Sequence, residues 1–187
     1  MISMLTAFCL ALLWLSAPVA LEGNPSRVNE ILVQLRQGKT TSGPERLELM
    51  ENDVNAWLNL VIENQKEPSV RQAHVDFLGG NRIEGTAEID MDKVKLDGYS
   101  AQLFKNLLKG VQEVDVTGKL ECADGKGEFS VEEASLNGIS VPAVLVEQIL
   151  SYATSRQPPN IDITEPFDLP ADVRSVEVLE GRIVIER

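Results

Sequence analysis

Histidine occurs once in this 187-residue chain, as His74. A Ser-His-Asp or Cys-His centre would have to use that one ring, and a histidine-based zinc site lacks further ligands. His74 lies in an alternating segment beside Arg71 and Asp76, where it reads as a solvated strand residue. Cysteine occurs twice, and only Cys122 follows the apolar head, so no disulfide can close within the body of the chain. Cys122 therefore reads as a small buried strand residue. Aromatics make up 5% of the residues, too few for a large stacking platform for sugars or bases. Acidic residues outnumber basic ones 29 to 17, a formal net charge of -12. That balance argues against nucleic acid as a partner, because phosphate binding needs Lys and Arg.

Charge is missing altogether from Met1 to Leu21. The run Leu5 to Leu15 suits a signal-peptide core, and Ser16 to Ala20 offers small residues for cleavage. No Lys or Arg precedes that core, and about twenty apolar residues also suffice to span a bilayer. Residues 1–21 are therefore expected to be a signal peptide or membrane anchor. The protein is expected to be periplasmic or secreted, with attachment to the inner membrane through residues 1–21 as the variant. Residues 22–187 are expected to form one α+β domain, long enough to bury a core without covalent staples.

Periodicity divides that body. Val28, Ile31, Leu32 and Leu35 predict a helix over about Arg27 to Gln37, with Ser26 as its cap. Leu47 to Met50 predicts a short strand. Asn52 or Asp53 then caps a second helix, with Val54, Trp57, Leu58, Val61 and Ile62 on one stripe. The pattern changes to period two: Ala73, Val75 and Phe77 alternate with His74 and Asp76, and a Gly79-Gly80-Asn81 turn leads to Ile83, Gly85, Ala87, Ile89 and Met91. These predict an antiparallel pair with one apolar and one wet face, which Val94 and Leu96 continue. A short helix is expected over about Ala101 to Lys109. Val114 to Cys122 and Gly127 to Val131 predict a second pair across Asp124-Gly125. Leu136 to Ile139 is a further tight turn, and Pro142 opens a helix ringed by Val144, Leu145, Val146, Ile149, Leu150 and Tyr152. Val176 to Ile185 predicts a terminal hairpin around Glu180-Gly181. The sum is α+β, a long curved antiparallel sheet of about seven strands wrapped around one or more amphipathic helices.

Catalytic patterns are sparse. Asp90, Asp92 and Asp97 suggest a calcium loop, but Val94 and Lys95 occupy the bend and Lys93 adds positive charge, so a strand edge and turn is the better reading. Glu132-Glu133 could be half of a carboxylate pair, yet so acidic a chain produces such neighbours by composition alone. No enzyme activity, cofactor or metal is expected. The three helical segments instead carry much apolar surface, which is either core or one wall of an apolar cleft. Each methylene buried there is worth about 0.8 kcal/mol, so a dozen give on the order of 10 kcal/mol before ordering costs. If a cleft exists, Trp57, Val61, Phe104, Leu108, Leu145 and Ile149 are the candidate ligand-binding residues.

The order of ELMENDVNAWLNLV, NRIEGTAEIDMD, VTGKLECADGKGEFSVEEASLNGISVP and PFDLPADVRSVEVLEGRIVI resembles bacterial LmeA-like lipid-binding proteins of the tubular lipid-binding (TULIP-like) group. The likeness covers about residues 45 to 187. It implies a curved sheet around a helix and a groove for phospholipid-like molecules. It also implies an envelope location, and it carries no catalytic residues across. Lys93, Lys95, Lys105 and Lys109 are scattered along the sequence, which does not suggest an anionic headgroup site. The expected function is an exported, non-enzymatic binder of phospholipid or another hydrophobic ligand. The alternative is an envelope structural or protein-interaction module with a closed core.

Overall fold

A computed structural model describes residues 23–37, 45–65, 69–93, 109–123, 125–147, 165–170 and 173–187. The expectations for residues 1–21, for Val94 and Leu96, for a helix over 101–108 and for helical residues beyond 147 lie outside that set.

In α1 (Pro25–Gln37), Asn24 is the cap: its Oδ1 accepts the Ser26 N–H at 3.1 Å and its carbonyl accepts the Arg27 N–H at 3.1 Å. Pro25 sits in the first turn, where its missing N–H costs nothing. The expected cap at Ser26 is thus two residues late. Strand β1 (Arg46–Met50) runs directly into α2 (Glu51–Glu63). Met50 occupies the cap position without a side-chain hydrogen bond, so neither Asn52 nor Asp53 caps this helix. Tertiary partners do so instead. The Glu51 N–H donates to the Gly181 carbonyl at 3.0 Å. The Asp53 carboxylate accepts the Asn24 N–H at 2.7 Å.

Strands β2 (Val70–Gly79), β3 (Arg82–Asp90), β4 (Val111–Ala123), β5 (Lys126–Leu136) and β6 (Ile139–Ser140) lie side by side in chain order. A short β7 (Phe167–Asp168) pairs with the start of β5. Residues 143–147 are helical, and Met91–Lys93 form a 3-10 turn. Strands β8 (Ser175–Leu179) and β9 (Arg182–Glu186) form the terminal hairpin, and β9 pairs with β1. The fold is α+β, and every ladder among the described residues is antiparallel. Rather than one sheet of about seven strands, nine described strands divide into a six-stranded and a three-stranded sheet.

Two side-chain devices join the layers. Asn81, at φ 63° in the β2–β3 turn, accepts the Val178 N–H on its Oδ1 at 2.8 Å, while its own N–H donates to the Val178 carbonyl at 3.1 Å. Asn55 is fully buried on α2 and bonds both the N–H and the carbonyl of Val75 at 2.8 Å. Glu51 takes the Phe77 N–H at 2.7 Å. Both β2 residues lie on an edge strand, so α2 presents side chains where another strand would present its backbone.

A bulge sets the geometry of β5. Gly118 pairs with Val131 and Thr117 with Glu133, leaving Glu132 as the extra residue. Before it, Gly127 and Phe129 point inward; after it, Ala134 and Leu136 do. The expected return strand over Gly127 to Val131 therefore continues to Leu136 with its inward parity reversed. A similar step leaves Arg71 unpaired between Val70 and Gln72 on β2.

Candidate functional site: one apolar face in two halves

The inner face of the larger sheet carries two separate apolar clusters. The first joins Val75, Phe77, Ile83, Leu120, Phe129 and Phe167 to Val28, Ile31, Leu32 and Leu35 of α1, to Val54, Trp57 and Leu58 of α2, and to Val178, Ile183 and Ile185 of the smaller sheet. The second joins Val70, Ala73, Ala87, Ile89, Met91, Val114, Val116, Ala134 and Leu136 to Ile62, Val141, Leu145 and Val146. Val131 touches both.

Glycines register the difference in filling. A Cβ on Gly118 would overlap the Phe129 ring and stand 2.7 Å from the Ser130 carbonyl oxygen. A Cβ on Gly127 would overlap the Phe167 ring. Those rings lie on the bare backbone, and the first half is packed solid. Gly85 is also buried on the inner face, but the nearest described atoms to a Cβ there are His74 O at 3.9 Å and Val75 Cγ1 at 4.0 Å. Both belong to its own sheet. Register places Gly85 between Val75 and Val116, and sets Ala73, Ala87 and Val114 in the next row. Ala134 faces Val116. The floor of the second half is thus built from small side chains.

The predicted ligand-binding residues divide between the halves. Trp57 is packed in the first cluster, where its Nε1–H donates to Asn29 Oδ1 at 2.8 Å. Val61 packs against the same cluster. Leu145 is fully buried in the second, whereas Val144 next to it is 52% exposed, so the apolar ring expected around that helix is broken there. Phe104, Leu108 and Ile149 lie outside the described residues. The small floor around Gly85 escaped the sequence reading, although Gly85 and Ala87 at inward positions were its visible signal.

Elsewhere the polar candidates are engaged. His74 is partly exposed, with Nε2 3.3 Å from Asp76 Oδ1. Asp90 is nearly buried, and its Oδ2 accepts from an Arg71 guanidinium N–H at 3.0 Å. Among the described residues no group of His, Cys, Asp and Glu side chains converges to hold a metal ion. Asp97 lies outside the described set. Glu132 and Glu133 line a groove of about 520 Å³ together with Glu84, Asp115, Ser135 and Ser140. Within it Arg82 donates to Glu132 at 2.8 Å and the Ser135 hydroxyl to Asp115 at 2.8 Å. Cys122 is half-buried against the first cluster; burial pushes its thiol up to about 11, against a weaker lowering by a backbone hydrogen bond at Val176.

These features define an α+β protein with a two-part apolar interior. No protein-family model matches the chain, and no curated protein sequence matches it. No helix among the described residues is long and apolar enough to cross a membrane.

Proposed function

We propose that the protein is a non-enzymatic binder of a hydrophobic ligand with an acyl chain, held against the second half of the inner sheet face. The space above Gly85 carries this reading: a buried floor of Gly85, Ala73, Ala87 and Ala134 leaves room that Phe129 and Phe167 take up elsewhere. Leu145, Val116 and Met91 would bound the chain. Burial of methylenes needs no catalytic group, which suits a site made of aliphatic side chains. The uncharged residues 1–21 support export to the cell envelope, where such a ligand is at hand. A tubular lipid-binding architecture is the fold-level form of the same reading.

Native mass spectrometry of the purified protein, before and after delipidation and re-exposure to fatty acids and phospholipids, tests the proposal. A retained or recaptured acyl ligand is the expected result. A protein that never carries one leaves the alternative, an interaction module with a closed core, which the solid first cluster would suit.

A further inference from the structure

The end of the larger sheet that borders the second cluster carries an unusual charge arrangement. Arg71 stands on the β2 bulge, and a bulge re-aims the side chain it bears. Its guanidinium donates to Asp90 Oδ2 at 3.0 Å, and Lys93 Nζ lies 3.8 Å from that same oxygen. Other ion pairs match one cation to one carboxylate: Arg46 with Glu48, Arg82 with Glu132, Lys119 with Glu121, Lys126 with Asp168. Here two cations share one nearly buried carboxylate, which leaves one positive charge in surplus. Asp92 on the same turn is exposed, where water screens it. The residues between these groups, Val70, Ile89 and Met91, are buried in the second cluster. The Met91 N–H donates to the Gly110 carbonyl at 2.8 Å, which brings the backbone of Lys109 to this end as well. Cations that look scattered in the sequence are thus gathered at one end of the apolar face.

We propose that Arg71 and Lys93, oriented by Asp90, form the polar terminus of the apolar site and take the oxyanion, a carboxylate or a phosphate, of a single-chain amphiphile. This rests on the apolar-face reading above. The guanidinium offers a planar fork to an oxyanion and the ammonium a movable point charge. Asp90 acts as a positioning residue: it holds both cations without neutralising both. An amphiphile bound this way lies with its chain toward Gly85 and its head at the Arg71 end.

Displacement of a fluorescent fatty acid from the full-length protein tests this, with chain-matched lysophosphatidate, free fatty acid and neutral monoacylglycerol as competitors and inorganic phosphate as the chainless control. The anionic amphiphiles are expected to bind about tenfold tighter than the neutral one, a preference that falls to about twofold or less in Arg71→Gln/Lys93→Gln. Neutral-lipid affinity is expected to stay unchanged in that double variant, which also reports that it is folded, and Arg71→Lys is expected to keep part of the preference. Equal affinity for anionic and neutral lipids in the wild type overturns the headgroup site alone. A preference that survives the double substitution overturns the assignment to these two residues. Displacement by inorganic phosphate at the concentration of the amphiphiles overturns the amphiphile as the source of the anion. Failure of every amphiphile to bind overturns the apolar-site reading with it.

Discussion

Two halves of one sheet face, built from the same alternating strands, have different interiors. In the first, Phe77, Phe129 and Phe167 meet α1, α2 and a second sheet, and aromatic rings rest on Gly118 and Gly127. In the second, Ala73, Ala87 and Ala134 surround Gly85, and among the described residues only Ile62, Val141, Leu145 and Val146 come from outside the strands and the turn at Met91. Alternation settles which side chains face inward in both. Side-chain volume and the cover supplied by other elements decide whether the result is a sealed core or a floor with room above it.

The contrast can be broken by substitution. Leu58→Ala in the first cluster removes a fully buried side chain held between helix and sheet, and is expected to cost about 4 kcal/mol in urea unfolding. Gly118→Ala forces a methyl into the Phe129 ring and the Ser130 carbonyl, and is expected to cost about 3 kcal/mol by the same measurement. Asn55→Ala strands the Val75 N–H and carbonyl at the edge of β2, for a loss of about 2 kcal/mol. Gly85→Leu is the decisive counterpart. Its Cβ meets no close described atom, so a stability change below about 1 kcal/mol is expected, with acyl-ligand uptake reduced about tenfold by native mass spectrometry. A Gly85→Leu protein as unstable as Gly118→Ala would show that the two halves are filled alike. The smallest effect belongs to Cys122. With its thiol pushed up to about 11, only about one molecule in a thousand is thiolate at pH 8, so labelling by a disulfide reagent should be far slower than for a free thiol and accelerate toward pH 11.

Local signals carried much of this fold. The hairpins β2–β3, β4–β5 and β8–β9 follow from alternation broken by Gly79-Gly80-Asn81, Asp124-Gly125 and Glu180-Gly181. The helix faces follow from 3.6-residue spacing. Long-range pairing left no comparable mark: nothing near Arg46 indicates Glu186 as its partner, so the division into two sheets was not legible. The caps failed for the same reason, since the N–H at the start of α2 is satisfied by Gly181, far along the chain. For the candidate site, the stripe on α2 identified Trp57 as buried but could not say which cluster receives it. Arg71, Asp90 and Lys93 come together only through a bulge and a turn, which alternation does not encode.

The extra residue at Glu132 has a further consequence. Strand β5 is read in two frames, odd positions inward before it and even positions inward after it. Losing one residue there would delete no contact directly; it would transpose the remainder of the strand, bringing Glu133 and Ser135 into the interior and turning Ala134 and Leu136 out to water. This stretch should accept many changes of spelling and no change of length.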